Sequence, residues 1–241
     1  SVYQDNFHRF CKNPLKDLVC PLICWFDKSH VTANGKFTLQ PFMVTLAIFK
    51  ETFRRTMDAW FVLGYLPAFQ HSSAFRTTMK PGEFLRGYHL QILAILASYF
   101  NSTIYLTDVE LPIGPNGSLM TVNVICPVLF IIQDMEEGDR LSGRFGTRLS
   151  SIPRQSRACN IQFKNMDATD RKAECQYVTM KDMQEIALSP DKSLRQKWSM
   201  HYLDNAFSKV VFMDPVRGIF GNSPTEAMHS VQKGPIETCV K

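Results

Sequence analysis

The sequence predicts an α/β protein in which a mixed sheet is flanked by helices. Two largely apolar runs, residues 18–26 and 128–133, are typical of buried strands, and they stop at Asp27 and Asp134 respectively. Between them, apolar side chains recur every three or four positions over residues 84–99, as they do on one face of a helix. Strands that precede and follow a long helix favour a layered α/β sheet.

Three successive strands are predicted before that helix. The first ends just before Asp27, the second covers about residues 37–49, and a shorter third lies around residues 60–66. The Asn34-Gly35 pair separates the first two strands and tolerates the positive φ angles of a hairpin turn. Pro41 has no N–H to donate, so we expect an edge position or a bulge where it interrupts the second strand.

The helix and the strands after it follow from turn signals and apolar runs. Pro81 suits the first turn of a helix and Glu83 suits the positive end of its dipole, so a helix is predicted from there to about residue 100. Strands at 103–107 and 121–132 follow, with a Pro-Asn-Gly turn before the second of them.

The character of the sequence changes after Asp134. Residues 136–172 are rich in Arg, Ser, Gly and Asp and show no sustained apolar periodicity, so an irregular insertion is predicted there. From residue 181 onward the apolar spacing is helical. A last helix is predicted near Ser223-Pro224, because serine is a good N-cap and proline a good first helical residue.

This order of elements is the one expected of an RNase H-like core interrupted by an irregular insertion. The predicted insertion lies between the second and third candidate acids, which are described below. We expect residues 14–145 to form the first part of the core, residues 146–200 to form the insertion, and residues 201–241 to form a helical end of the core.

Composition places the chain among ordinary globular proteins. Of its 241 residues, 45% are hydrophobic and 20% are charged, which suffices for a substantial core and argues against disorder. The net charge of +5 is mild and permits contact with a polyanion without demanding it. The longest uncharged stretch, residues 111–133, is broken by prolines and glycines, so no membrane span is predicted.

The cysteines and the chain ends support two further expectations. The 7 cysteines are scattered, and several lie inside apolar runs, which suits a reducing compartment better than a disulfide framework. The chain lacks an initiator Met and stops shortly after Cys239, so we expect it to be a fragment of a longer protein.

Three segments carry a family resemblance. They are Asp134-Met-Glu-Glu-Gly-Asp-Arg-Leu-Ser-Gly143, Arg157-Ala-Cys159 and Pro224-Thr-Glu226-Ala-Met-His229-Ser-Val-Gln-Lys-Gly234. In their order and spacing they resemble cut-and-paste transposases of eukaryotic DNA transposons, in particular the CACTA-like superfamily and the Plavaka-type elements. The resemblance covers about residues 14–234 and implies the catalytic core of a DDE/D-type transposase.

The resemblance implies that Asp27, Asp134 and Glu226 hold two Mg²⁺ ions, or two Mn²⁺ ions. Carboxylate oxygens are the ligands that such hard cations prefer. Two ions together activate the attacking hydroxyl and stabilise the leaving oxygen in phosphodiester cleavage and strand transfer. Asp139 competes for the second position, but Asp134 is preferred because it directly follows the apolar strand and is correctly spaced from Leu141-Ser-Gly143.

Each acid also has a simple structural explanation. An aspartate after a strand often caps that strand or begins a turn. Glu226 follows Ser223 by three residues, so it could complete a capping box instead of binding a metal. His229 would share a helix face with Glu226 and could hold zinc or support a metal ligand, or could be an ordinary side chain.

Related transposases often carry Cys-x-x-Cys between the second and third acids to hold a structural zinc ion. Here Ser156 stands where the first cysteine is expected. Four residues could still form a Cys2His2 zinc site: Cys159, Cys175, His201 and His229. The alternative is that these are four unrelated side chains.

Arginines are frequent after the second acid. Those expected to contact DNA are Arg140, Arg144, Arg148, Arg154 and Arg157. Contacts to phosphates near the cut site would position the substrate without reading its sequence, although a charged loop can also be merely solvated.

The resemblance further implies double-stranded DNA as the partner, both transposon ends and target, with a homo-oligomer in the active complex and a nuclear location. One alternative is a domesticated or decayed transposase that binds DNA or protein without chemistry. A second is a simple metal-dependent nuclease on the same fold, since a fold alone does not decide the function.

Overall fold

Two sheets and the helices packed on them make up the described part of the chain. The structure, a computed structural model, describes residues 7–26, 29–30, 38–67, 82–97, 99, 105–146, 157, 159 and 176–223. Its strands are β1 Asp17–Val19, β2 Leu22–Phe26, β3 Ser29–His30, β4 Thr38–Leu46, β5 Phe61–Pro67, β6 Tyr105–Leu111, β7 Met120–Ile125 and β8 Val128–Ile132. Its α-helices are α1 Glu51–Arg54, α2 Glu83–Ile95, α3 Met135–Ser142, α4 Met180–Leu188 and α5 Lys192–Lys197. Short 3-10 helices lie at Met57–Ala59, Pro115–Gly117, Ala206–Lys209 and Gly218–Phe220.

The larger sheet is mixed and has the order β5-β4-β2-β8. Strand β4 is antiparallel to both β2 and β5, whereas β8 lies parallel to β2 on the other side. Strand β3 extends β2 along the same edge of β4 in one continuous register, since Phe26 is opposite Phe42 and Ser29 is opposite Leu39. The α/β class predicted from the sequence is therefore confirmed.

The smaller sheet has the order β1-β7-β6 and joins the larger one through two neighbouring connections. Cys20 N donates to Ile125 O, and Leu22 N donates to Pro127 O, both at 2.8 Å. The segment from β1 to β2 and the segment from β7 to β8 therefore run side by side from one sheet into the other. Pro21 and Pro127 have no N–H to donate, which accounts for the break in the ladder between the sheets.

Helix α2 covers one face of the larger sheet. The apolar spacing of its sequence explains this, because residues three and four apart lie on one helix face. Its buried side chains are Leu85, Tyr88, His89 and Ile92, and Leu96 just beyond it is also buried. The sequence predicted a face through Phe84 and Ile95, but both are only partly buried, so the buried face is rotated by about one residue.

The C-terminal elements complete the same core. They contribute Met183, Ala187, Phe207, Phe212 and Ile219, which pack with the sheet residues Phe26, Phe42, Leu66 and Ile131. The rings of Phe26 and Phe42 lie 4.0 Å apart between centroids, and Phe207 meets Phe26 edge-on at 6.2 Å. Large rings facing each other across paired strands favour this close packing.

Pro41 was expected at an edge or a bulge, and the bulge is what the structure has. Strand β4 lies between β2 and β5, so an edge position is wrong. The register between β4 and β5 shifts at Phe42 and Met43, directly after Pro41. A bulge accommodates the missing N–H because it locally interrupts the ladder.

Two segment predictions need correction. The strand predicted over 121–132 is two strands, β7 and β8, because Cys126-Pro127 separates them. The start of the predicted irregular segment is instead helix α3, which begins after Asp134 and ends at Gly143, where φ is 75°. This helix is too short to show apolar periodicity, but an aspartate N-cap and a glycine C-cap define both its ends.

The helical segment predicted from residue 181 onward is only partly helical: it contains α4 and α5, but residues 198–210 hold only the short 3-10 helix Ala206–Lys209. The helix predicted near Ser223-Pro224 lies outside the described residues from 224 onward. Within the described ranges, no helix combines the length and apolarity that a membrane crossing requires.

Candidate active site

The two strands that precede the candidate aspartates are neighbours. Strands β2 and β8 are parallel, with Cys24 opposite Ile131 and Trp25 opposite Ile132. Because the two strands point the same way, the residues that follow them leave the sheet at the same edge. Asp27, the residue after β2, lies outside the described residues, so its distance from Asp134 stays a prediction.

Asp134 is the N-cap of helix α3. Its Oδ1 accepts a hydrogen bond from Glu137 N at 2.6 Å, and its extended backbone (φ −69°, ψ 172°) leads from β8 into the helix. The sequence left open a structural role as a strand cap or the start of a turn, and the structure shows the N-cap of a helix instead. Capping engages Oδ1 of this partly exposed carboxylate, so the role is compatible with a second task for Asp134.

Asp139 lies in helix α3 and is buried, with 1% of its surface exposed. Its backbone oxygen accepts a hydrogen bond from Arg144 N at 2.8 Å, which helps to end the helix. Asp139 is in the second turn of the helix, more than one turn beyond Asp134. Its deep burial makes Asp139 a less accessible ligand than Asp134.

The guanidinium of Arg157 rests on helix α3 at Gly138. A Cβ atom on Gly138 would overlap Nη1 of Arg157 and would lie 2.6 Å from its Cζ, so the close approach requires glycine. Burial lowers the pKa of Arg157, and the charges of Asp139 and then Asp134 act in the opposite direction. Arg157 is thus a partly buried positive group that interacts electrostatically with both candidate aspartates.

A polar network that the sequence did not reveal fixes helix α3 against helix α2. The Tyr88 hydroxyl donates to Glu137 Oε1, and Arg140 Nη1 lies 3.3 Å from Glu137 Oε2. Arg140 also pairs with Glu136 on the same helix. Glu137 is only 3% exposed, so these contacts satisfy a carboxylate that would otherwise be costly to bury. The one sequence signal for this network was a tyrosine at an apolar position of the helix predicted before it.

Residues just before Glu226 are anchored at the end of β8. Ile131 N donates to Asn222 O at 2.8 Å, and Gln133 Nε2 donates to the hydroxyl of Ser223. Ser223 therefore lies beside the residue that directly precedes Asp134. Glu226 itself, together with its alternative capping role, lies outside the described residues.

The described arginines of the predicted DNA-contacting strip are engaged within the protein. Arg140 pairs with Glu136 and Glu137, Arg144 is 3% exposed, and Arg157 rests on Gly138. Arginine held this way does not present its charge freely to a phosphate. Arg148 and Arg154 lie outside the described residues, and their DNA contacts stay a prediction.

The structure does not test the predicted zinc site, because two of its four proposed ligands lie outside the described residues. Cys159 forms an isolated antiparallel bridge with Tyr177, and the His201 ring meets Phe145 edge-on at 4.6 Å. Burial lowers the pKa of His201. Cys175 and His229 lie outside the described residues. Among the residues that are described, no three His, Cys, Asp or Glu side chains gather as a metal site.

Comparison with known proteins gives no family assignment: no protein-family model and no curated protein matches this chain.

Proposed function

We propose that this chain is the catalytic core of a DDE/D-type DNA transposase with an RNase H-like fold. It would cleave DNA phosphodiester bonds and join the 3′ ends to a target. The observation that carries the proposal is the meeting of three chain segments, ending at Phe26, Gln133 and Ser223, at one edge of the larger sheet. Each segment leads within three residues to one of the acids that the resemblance implies.

The sheet supports the RNase H-like assignment. Three successive antiparallel strands, β2, β4 and β5, are followed by a long helix on one face and then by β8, which is parallel to β2. This is the order of elements expected of such a core, and it sets the strand before the second acid beside the strand before the first. The buried side chains of α2 pack in one core with residues of β2, β4, β5 and β8.

Chain geometry limits how far the three acids can be from one another. Asp27 directly follows Phe26, and Glu226 is three residues after Ser223. An extended chain spans at most about 3.3–3.6 Å per residue, so Glu226 lies within ~11 Å of Ser223. Carboxylates of Asp27, Asp134 and Glu226 can therefore converge without any rearrangement of the sheet.

The donor set fits a hard divalent cation. All three proposed ligands are carboxylates, whose oxygens are the ligands that Mg²⁺ and Mn²⁺ prefer. Bound Mg²⁺ or Mn²⁺ would supply an activated hydroxyl nucleophile and charge stabilisation for the leaving oxygen. The chain itself orients the second ligand, because the cap on helix α3 fixes the Asp134 side chain.

The remaining parts of the proposal follow from the same resemblance. The substrate would be double-stranded DNA, bound in the nucleus by a homo-oligomer, with Arg148 and Arg154 on the phosphates. Cys159, Cys175, His201 and His229 would hold a structural Zn²⁺ ion. The net charge of +5 is compatible with a DNA partner.

One observation favours a second candidate function, a domesticated or decayed transposase without chemistry. Arg157 places a permanent positive charge beside the two aspartates, as a structural ion pair would. Such a chain would bind DNA or protein but would leave DNA uncut.

Mn²⁺-dependent nicking of supercoiled plasmid DNA tests the proposal. The variants Asp27→Asn, Asp134→Asn and Glu226→Gln should each lose nicking by about 100-fold or more, because each removes a ligand of the metal ions that would stabilise the transition state. The exposed Asp58 offers a matched control, Asp58→Asn, which should nick like the wild type.

Two results decide between the alternatives. A wild-type protein that binds DNA but does not nick it would support the non-catalytic candidate. Nicking without joining of a pre-cut 3′ end to plasmid would point to a simple nuclease on the same fold.

A further inference from the structure

The planar guanidinium of Arg157 packs directly against helix α3. Gly138 provides a surface without a side chain, and the guanidinium occupies the space that a Cβ would fill. Gln133, at the end of β8, borders the same space, with its Nε2 3.0 Å from that Cβ position. The cation therefore lies between the strand end and the first turns of the helix that Asp134 caps.

The charge of Arg157 and that of a metal ion would compete for the same carboxylates. Asp139 and Asp134 both interact electrostatically with the guanidinium. Like charges repel strongly at short range in a poorly solvated site, so a divalent ion bound to Asp134 disfavours a guanidinium close by. A long arginine side chain can leave by rotation about its own bonds, without any movement of the sheet.

We propose that Arg157 is an internal counter-cation that neutralises the aspartates of the metal-free protein and must be displaced when a divalent ion binds, so that its contact with Gly138 is autoinhibitory. The inference rests on the proposed function, in that Asp134 holds a metal ion. It gives Arg157 a regulatory role at Asp134 and Asp139, instead of the contact with DNA that was expected from the sequence.

Mn²⁺ alone, titrated against the protein without DNA, provides the test. Free Mn²⁺ can be followed by its paramagnetic resonance signal, which needs no catalysis. The variant Arg157→Met keeps the length of the side chain and removes its charge. It should bind Mn²⁺ at least about tenfold more tightly, because a full positive charge leaves the surroundings of the carboxylates.

Two further variants separate charge from packing. Arg157→Lys keeps the positive charge and should bind Mn²⁺ with an affinity closer to the wild type than to Arg157→Met. Arg86→Met removes an exposed arginine from helix α2 and should leave the affinity unchanged. Circular dichroism and a thermal melt of each variant establish that it is folded before the titration.

Labelling with phenylglyoxal gives a second readout that does not depend on substitution. Mn²⁺ should raise the rate at which Arg157 of the wild-type protein is modified, measured by mass spectrometry, because displacement exposes the guanidinium. Equal protection with and without Mn²⁺ in a protein that binds the ion would overturn the inference.

The outcomes distinguish this inference from the proposed function. Equal Mn²⁺ affinity of the folded wild type and folded Arg157→Met would refute the role of Arg157 while leaving the metal site intact. Tight binding by Arg157→Met and weak binding by the wild type would support both. Absence of Mn²⁺ binding in every folded variant would refute the metal site and the inference with it.

Discussion

The Tyr88 hydroxyl donates a hydrogen bond to the carboxylate of Glu137, and this contact joins helix α2 to helix α3 inside the protein. Arg140 approaches the other oxygen of Glu137 at 3.3 Å, so both oxygens of the buried carboxylate are engaged. Helix α3 is also the helix that Asp134 caps. The network therefore holds the helix that orients the proposed second metal ligand.

Removal of the Tyr88 hydroxyl should destabilise the protein. Tyr88→Phe keeps the ring in the core but leaves one oxygen of Glu137 without its donor, which costs about 1–3 kcal/mol for a buried group. Urea denaturation at pH 7 measures the change. The exposed Tyr65 supplies the control, since Tyr65→Phe should change the free energy of unfolding by less than about 0.5 kcal/mol. Equal stabilities of the two variants would contradict the importance of the network.

His89 should make the stability of the protein depend on pH between about 6.5 and 4. Burial lowers the pKa of His89 from 6.5 to about 4, and the ring bridges Arg140 O and Ala206 N. Since Nδ1 accepts from Ala206 N, Nε2 carries the proton and donates to Arg140 O. The contact with Ala206 N needs the neutral ring, because protonation of Nδ1 removes its acceptor.

A depressed histidine pKa means that the unfolded chain takes up the proton first. The contribution of His89 is therefore fully present above pH 6.5 and is lost as pH falls towards 4, by ~3 kcal/mol in total. Urea denaturation at pH 7, 5.5 and 4.5 should show a smaller loss of stability for His89→Gln than for the wild type. His8→Gln, at an exposed histidine, should follow the wild type. Parallel pH curves for all three proteins would exclude His89 as the source.

Patterns within single segments predicted most of the fold. The runs before Asp27 and Asp134 became β2 and β8, and the apolar spacing after Glu83 became α2, because strand and helix periodicities are local properties of the chain. The break between β7 and β8 at Cys126-Pro127 was not predicted, because the apolar residues on both sides suggested one continuous strand. The missing backbone N–H of a single proline does not show in such a pattern. The pairing of β2 with β8 could not be found in this way, since no local pattern specifies which strands are neighbours.

The contacts around the candidate site were much less predictable. Neither the contact between Arg157 and Gly138 nor the hydrogen bond between Tyr88 and Glu137 has a sequence signature. Both join residues far apart in the chain, and burial of a charged side chain depends on the partners that the fold supplies. Arginines after the second acid were therefore expected to contact DNA, whereas nothing in the sequence indicated the contacts that those described make within the protein.

Gly138→Ala should displace Arg157, because the new Cβ would overlap its guanidinium. The buried carboxylate of Asp139 then loses its nearby positive charge, so the thermal midpoint should fall in metal-free buffer. Mn²⁺ should raise that midpoint by more than it does in the wild type. Gly87→Ala is the matched control, since nothing lies within 4 Å of a Cβ there, and it should stabilise helix α2 by up to ~1 kcal/mol. An unchanged Mn²⁺ response in Gly138→Ala would argue against displacement.

Asparagine at position 134 should separate the structural role of Asp134 from its proposed chemical role. Asn is as good an N-cap as Asp, so Asp134→Asn should keep the bond from Glu137 N and alter the free energy of unfolding by less than about 0.5 kcal/mol. Its neutral amide is a poor ligand for a divalent ion, so plasmid nicking should fall by about 100-fold or more. Urea denaturation and the nicking assay on the same preparation provide both numbers.

Asp139→Asn should show the opposite behaviour. Asp139 is buried and interacts electrostatically with the partly buried Arg157, so loss of its charge should destabilise the protein by about 1–3 kcal/mol. Part of the nicking activity should survive in the fraction that is folded, since the proposed ligand Asp134 is intact. Full activity in Asp134→Asn together with complete loss in folded Asp139→Asn would transfer the second metal position to Asp139. Helix α3 would then carry the ligand in its second turn, and the N-cap of Asp134 would be a purely structural contact.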